Sequence, residues 1–229
     1  GNVSALENYR PDSDLSKAYY HGGTGGIVGT GRDITESSFE GKVYAPDNSE
    51  VGGIVGYTSG NILNSCSSGE VEGRWYIGGV VGKFGGTLFN ESSSQSEVIG
   101  IEYVGGLGGS FSSSNLAHVS NSFSRGLVDG EKFVGGLVGY LKGYRVADSY
   151  SASIVSLGEY VGGLIGYSYF SHAVSDSFWD REFSGILDSA VGTSKNTAEM
   201  KTRNTFTTFV DGELESPWDF ETIWDLSPD

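Results

Sequence analysis

Cysteine is almost absent from this chain: Cys66 stands alone among 229 residues, so no disulfide can close within it and no cysteine-based metal site is available. Proline is scarce too, at 4, which sets the 37 glycines apart from collagen and from proline-rich linkers. Histidine occurs only as His21, His118 and His172, isolated in HGG, AHVS and SHAV. The two histidines one helical turn apart that a zinc peptidase needs are therefore missing. So are the G-x-S-x-G elbow of a hydrolase and the G-x-x-x-x-G-K-[ST] loop of a nucleotide-binding protein. No apolar run approaches the ~18 residues of a membrane helix, and no charged-then-apolar leader opens the sequence. The expectation is an extracellular or cell-surface location with no transmembrane segment, the sequence being a mature chain or fragment without a signal peptide. Positive charge is also in short supply, with 14 Lys and Arg against 29 Asp and Glu and a formal charge of -15. Such a surface repels nucleic acid and anionic membranes, and no nucleic-acid partner is expected.

What the sequence does hold is aromatic and repetitive. It has 13 Tyr, 12 Phe and 4 Trp, too many for a disordered glycine/serine chain, while a hydrophobic content of 37% suits a thin core. One glycine block recurs six times: GGIVG at 25–29 and 52–56, GGVVG at 78–82, GGLGG at 105–109, GGLVG at 135–139 and GGLIG at 162–166. The second glycines, Gly26, Gly53, Gly79, Gly106, Gly136 and Gly163, are 27, 26, 27, 30 and 27 residues apart. Between blocks lies a softer landmark, SSF, NSC, ESS, NSF, DSY and DSF, which ends on Phe39, Cys66, Ser92 or Ser93, Phe123, Tyr150 and Phe178. From landmark to next block the arm is 13 or 14 residues long, whereas the arm from block to landmark varies from 10 to 14.

Both arms read as short strands, since they are rich in β-branched, aromatic and small residues, lack a helical period and are punctuated by Gly, Ser, Asn and Asp. A unit that cannot bury its own apolar face is stabilised by stacking on its neighbours. The fold class expected is all-β: a parallel β-solenoid of six coils of about 27 residues, with N- and C-terminal caps. The boundaries are a cap at 1–21, the solenoid at 22–178 and a second cap at 179–229. Within the last, TAEMKTRNTF at 197–206 reads as a short helix with Thr197 as N-cap, followed by an aromatic cluster of Trp218, Phe220, Ile223 and Trp224. In an unbroken block strand Val51 and Val55 share one face, while Ile54 shares the other with Tyr76-type aromatics. Apolar residues on both faces imply either a doubly covered strand or a bulge at the glycine pair.

The blocks YIGGVVGKFGG, FVGGLVGYLKG and YVGGLIGYSYF, together with landmarks such as NSF and DSY, resemble the GLUG motif. That repeat is found in large bacterial immunoglobulin A1 metallopeptidases, in adhesins and in other bacterial and archaeal surface proteins. The tail FWDREFSG, TAEMKT and WDFETIWDL is similar to that of GLUG-containing surface proteins, so the resemblance spans about residues 20–226. It implies a surface architecture that accompanies several activities. GGLGG lacks the second branched residue and Ser92 and Ser93 replace an aromatic, which predicts looser packing in the third and fourth coils.

Solenoids carry binding loops where length varies, so the variable arm is the candidate functional edge. Its aromatic residues Tyr57, Phe84, Phe111, Tyr140, Tyr144, Tyr167 and Tyr169 lie among small polar groups. Two readings stay open: they recognise a surface glycan or protein, or they fold over the coil edge as a lid on the core. Carboxylates recur in the constant arm in scattered registers, among them Glu40, Glu70, Glu97 and Asp129, and suit a solvated face or a Ca2+ ion better than an acid-base pair. No catalytic residues and no other cofactor are expected. The functions left are a non-catalytic adhesive or structural module, a subunit that associates with copies of itself, and a carbohydrate-active β-helix enzyme.

Overall fold

A computed structural model describes residues 2–4, 22–171, 173–210, 213–215 and 218–224; the expected cap at 1–21 falls outside these apart from Asn2–Ser4. The chain winds as a parallel β-solenoid of six coils with three long sheets. Sheet 1 contains the short strands that end at the first glycine of each block: Thr24–Gly25, Ser49–Gly52, Trp75–Gly78, Glu102–Gly105, Lys132–Gly135 and Glu159–Gly162. Sheet 2 begins just after the block's corner with Val28–Gly31, Val55–Thr58, Val81–Phe84, Gly108–Ser120, Val138–Ala147 and Ile165–Ser168. Sheet 3 holds the constant arm, from Ser38–Tyr44 through Cys66–Glu72, Ser93–Ile99, Phe123–Asp129 and Tyr150–Val155 to Phe178–Asp180. Its edges carry two further parallel strands, Asn2–Ser4 beside Lys42–Tyr44 and Thr193–Lys195 beside Phe178–Asp180.

The glycine block is a corner, neither a doubly covered strand nor a simple bulge. Because the chain turns between sheets 1 and 2, three successive apolar positions all point inward. Val51, Ile54 and Val55 are fully buried, as are Ile77, Val80 and Val81 one coil on. The second glycine sits where neighbouring coils touch. A Cβ on Gly79 would meet the Gly106 carbonyl oxygen and the Ser94 side chain, and one on Gly106 the Gly136 carbonyl and Ser124, all well under 3.0 Å. Serines of sheet 3 that face this corner are buried, and two of them are hydrogen-bonded into it: Ser67 and Ser124 donate to the carbonyls of Gly79 and Gly136, both at 2.6 Å.

The landmark is a second corner. Glu36, Asn64, Glu91, Asn121, Asp148 and Asp176 occupy the left-handed region, at φ between 42° and 50°, a conformation that asparagine and aspartate tolerate better than most residues. The serine after each forms a ladder along the stack. The N–H groups of Ser37, Ser65, Ser92, Ser122 and Ser149 donate to the hydroxyl of the next coil's serine at 3.1–3.2 Å, and each hydroxyl donates to the carbonyl two residues back. Register then corrects one assignment: Ser38, not Phe39, aligns with Cys66, and Phe39 aligns with Ser67 and turns inward.

Coils three and four are not loosely packed. Gly108 lacks a branched side chain because the Phe111 ring occupies that space, and Ser93 stands on the outer face, in register with Phe123, where it takes nothing from the core. At the C-terminal end, Trp179 belongs to the last coil, buried and in register with Ser151. Asp180 caps a one-turn helix, α1 (Arg181–Ser184), by accepting from the N–H groups of Glu182 and Phe183. The segment after it crosses the end of the stack, where the Ser189 hydroxyl accepts from the Leu164 and Ile165 N–H groups. Helix α2 (Thr197–Met200) is shorter than expected, and its N-cap is Asn196 in a capping box with Glu199, one residue before Thr197. Phe178, Phe206 and Trp218 then form a small core on the outer face of sheet 3.

A half-buried acid stands at the landmark corner of the fifth coil. One oxygen of Asp148 is buried with no hydrogen-bond partner among the described residues, and burial, reinforced by nearby Asp176, pushes its pKa up to about 6. The folded state thus holds this proton more tightly than the unfolded chain. Its stabilising contribution is present at pH 4 and is lost as pH rises through about 6. Asp148→Asn is expected to raise Tm at pH 7 by about 2–4 °C, or roughly 1 kcal/mol after solvent screening, and to leave Tm at pH 4 nearly unchanged. Parallel melts of the two proteins between pH 4 and 8 check this; equal pH slopes would refute it.

Candidate functional site

The aromatic residues divide into an inner and an outer set. Sheet 2 alternates inward and outward positions, and register lines them up across coils. The inward column runs Thr58, Phe84, Phe111 and Leu141; the outward one runs Tyr57, Lys83, Ser110, Tyr140 and Tyr167. Phe84 and Phe111 are fully buried, and with Phe89 and Tyr144 they make a cluster with ring centroids 5.2–5.7 Å apart. The Tyr144 hydroxyl donates to the Gly86 carbonyl at 2.6 Å. Burial raises the pKa of that hydroxyl far above the ordinary tyrosine range. Of the seven predicted binding residues, Phe84, Phe111 and Tyr144 are therefore core and not surface. The widened arm needs interior volume, and these rings supply it.

Tyr57, Tyr140 and Tyr167 do face outward, and a second column missed in the sequence joins them. Tyr76, Tyr103, Phe133 and Tyr160 lie in sheet 1, each with φ between 53° and 61°, as does Glu50 one coil earlier. Tyr76, Tyr103 and Phe133 each precede a fully buried residue, Ile77, Val104 and Val134, so the rings stand on the outer face of sheet 1. They stack coil on coil at 4.7, 4.9 and 5.0 Å with planes 11° apart. Tyr140 and Tyr167 stack beside them at 5.6 Å and meet their edges at 5.6–6.1 Å. Lys83 and Ser110 stand between Tyr57 and Tyr140 in the outward column of sheet 2, the Lys83 ammonium 5.8 and 5.3 Å from the Tyr57 and Tyr76 rings and 3.3 Å from the Glu50 carboxylate.

Because the rings spend their faces on one another, the corner offers solvent mainly edges and hydroxyls. Partial burial, with Glu102 nearby, pushes the Tyr103 pKa up to about 12, and burial raises that of Tyr140 as well. Both phenols stay protonated at neutral pH and act as donors. The faces that remain open are at the C-terminal end of the stack, where Tyr160 is 49% exposed. Tyr169, 57% exposed, lies in the turn after Ile165–Ser168, edge-on to Phe170 at 5.0 Å and below the Lys142 ammonium at 5.3 Å.

No family model and no solved structure matches this chain. A stretch of 113 residues, 48% of the chain, is 35% identical to a protein of Evansella cellulosilytica whose given name is a Gly-rich membrane protein. The matched stretch spans only 10% of that protein. Among the described residues no helix is long and apolar enough to cross a membrane, and no group of three His, Cys, Asp or Glu side chains could hold a metal ion. His118 is exposed on sheet 2, while His21 and His172 lie outside the described residues.

The signal that could have located the outer column is the residue two before each glycine pair. It is aromatic in four successive coils, although its neighbours alternate as a strand should. A column of large rings that also belongs to an apolar strand face cannot fit inside a coil this narrow.

Proposed function

We propose that the chain is a non-catalytic, GLUG-type repeat module, displayed outside the cell or on its surface, that binds glycan or protein through the aromatic corner. The double outer column carries this reading. It holds ring edges and phenolic donors at a step of 4.7–5.6 Å along the axis, flanked by Glu50, Lys83 and Glu102. A rigid periodic row of amphipathic groups suits a ligand that is itself extended and repetitive, such as a polysaccharide chain or an unfolded peptide. Carboxylates outside this corner stand in outward positions of sheet 3, where Glu70 pairs with Lys42 at 2.5 Å and lies beside Glu97. That placement favours solvation over acid-base work.

Binding to glycan and protein arrays tests the proposal. The double variant Tyr140→Ser/Tyr167→Ser is expected to lose at least about tenfold in affinity, since each ring removed is worth on the order of 1 kcal/mol or more, while Tm moves by only a few degrees. Turnover of a polysaccharide by the purified protein would overturn the non-catalytic part. A second reading, association of copies through the C-terminal end, is favoured by Leu157 and Leu187, 86% and 76% exposed in the last coil and its cover. A concentration-dependent sedimentation coefficient, abolished by Leu157→Glu, would select it.

A further inference from the structure

A cleft of about 780 Å³ lies on the outer face of sheet 3, away from the aromatic corner, and its origin is a change in one column of residues. The outward position after each ladder serine is Phe178, Tyr150 and Phe123 in the last three coils, but Ser93 and Cys66 in the two before them. The C-terminal segment covers the aromatic part. Trp224 packs on Tyr150 and Phe123 at 5.6 and 6.1 Å, and Phe123 and Tyr150 stack at 5.1 Å with planes 4° apart. Where the column drops from ring to serine and thiol, the floor falls away and the cleft opens.

Its lining is chemically mixed in a useful way. Arg125 lays its guanidinium 5.7 Å from the centroids of both Phe123 and Tyr150, and Lys201 and the Glu91 carboxylate also line the cleft. Arg125 and Lys201 thus outnumber the one lining carboxylate, which already accepts from the Asn90 side chain, in a chain whose formal charge is -15. The corner carboxamides of Asn64 and Asn121 supply further donors and acceptors along the wall.

We infer that this cleft binds a carboxylate-bearing sugar residue. The aromatic end wall takes the apolar face or edge of the ring, and Arg125 and Lys201 attract the carboxylate. The cleft volume is in the range of small-ligand sites. Neutral sugars lose the charge-assisted contact, and free acetate lacks the ring.

Cys66 reports on occupancy, because it is the chain's one thiol and lines the cleft. Glucuronate and a uronate oligosaccharide are expected to slow its reaction with a maleimide and to change tryptophan emission, saturably, with glucose at the same concentrations having at most a tenth of the effect. Arg125→Gln should weaken uronate binding at least tenfold. Ser93→Phe extends the ring column by one coil, so it should leave Tm within a few degrees and abolish protection of Cys66. No saturable uronate effect, equal effects of glucose and glucuronate, or wild-type protection in Ser93→Phe would each overturn the inference. Tyr140→Ser/Tyr167→Ser is expected to bind uronate normally, which separates this cleft from the aromatic corner.

Discussion

Gly136→Ala is expected to destabilise the protein by about 3 kcal/mol or more, lowering Tm by roughly 6–12 °C. The added methyl would stand well under 3.0 Å from the Gly163 carbonyl oxygen and from the Ser151 hydroxyl. Backbone cannot yield easily here, because Gly136 N–H donates to the Gly162 carbonyl at 3.0 Å and the Gly136 carbonyl accepts from Ser124 at 2.6 Å. Relief would require two coils to move apart, and in a stack each coil is stabilised only by its neighbours. Gly85→Ala is the control. A Cβ there meets nothing nearer than 3.6 Å, so the change should be neutral or slightly stabilising through the unfolded chain. Urea and thermal melts of the two variants measure the difference, and equal effects would mean that the repeated glycine serves flexibility and not close approach.

That contrast also explains how much could be read before any coordinates. A spacing of 26 to 30 residues between second glycines is the length of chain in one coil, so Gly53, Gly79 and Gly106 reveal the solenoid directly. The landmark was legible for a similar reason, since every Asx-Ser or Glu-Ser pair repeats one corner and one ladder hydroxyl. Direction was less legible. Strand alternation assigns faces only while the backbone stays extended, and Tyr76, Tyr103, Phe133 and Tyr160 leave it by adopting positive φ. The sequence therefore leaves open which face of the block strand is the core. Phe84, Phe111 and Tyr144 are candidate binding residues in the sequence, beside a core-lid alternative, because they sit in an arm of variable length, yet they extend strands whose alternate positions point inward. The cleft was out of reach for a third reason: it needs residues near 66, 93, 125 and 224 to meet, and no local pattern encodes where the tail crosses the stack.

The division into inner and outer rings has a direct consequence for Phe111. Phe111→Ala is expected to cost about 3–5 kcal/mol, because the ring is fully buried against Phe84, Phe89 and Tyr144 and also fills the space left by Gly108. Little collapse is available to close the void, since the surrounding strands are fixed by ladders on both sides. Tyr144→Phe removes only a hydroxyl and leaves the Gly86 carbonyl without its 2.6 Å donor, so about 1–2 kcal/mol is expected. Tyr140→Ala, on the outer column, should fall below both. If ligand binding is measured on the same three variants, the order reverses: Tyr140→Ala loses affinity while Tyr144→Phe retains it. A Phe111→Ala protein that melts like wild type would place that ring outside the core and undo the inward assignment of the whole sheet 2 column.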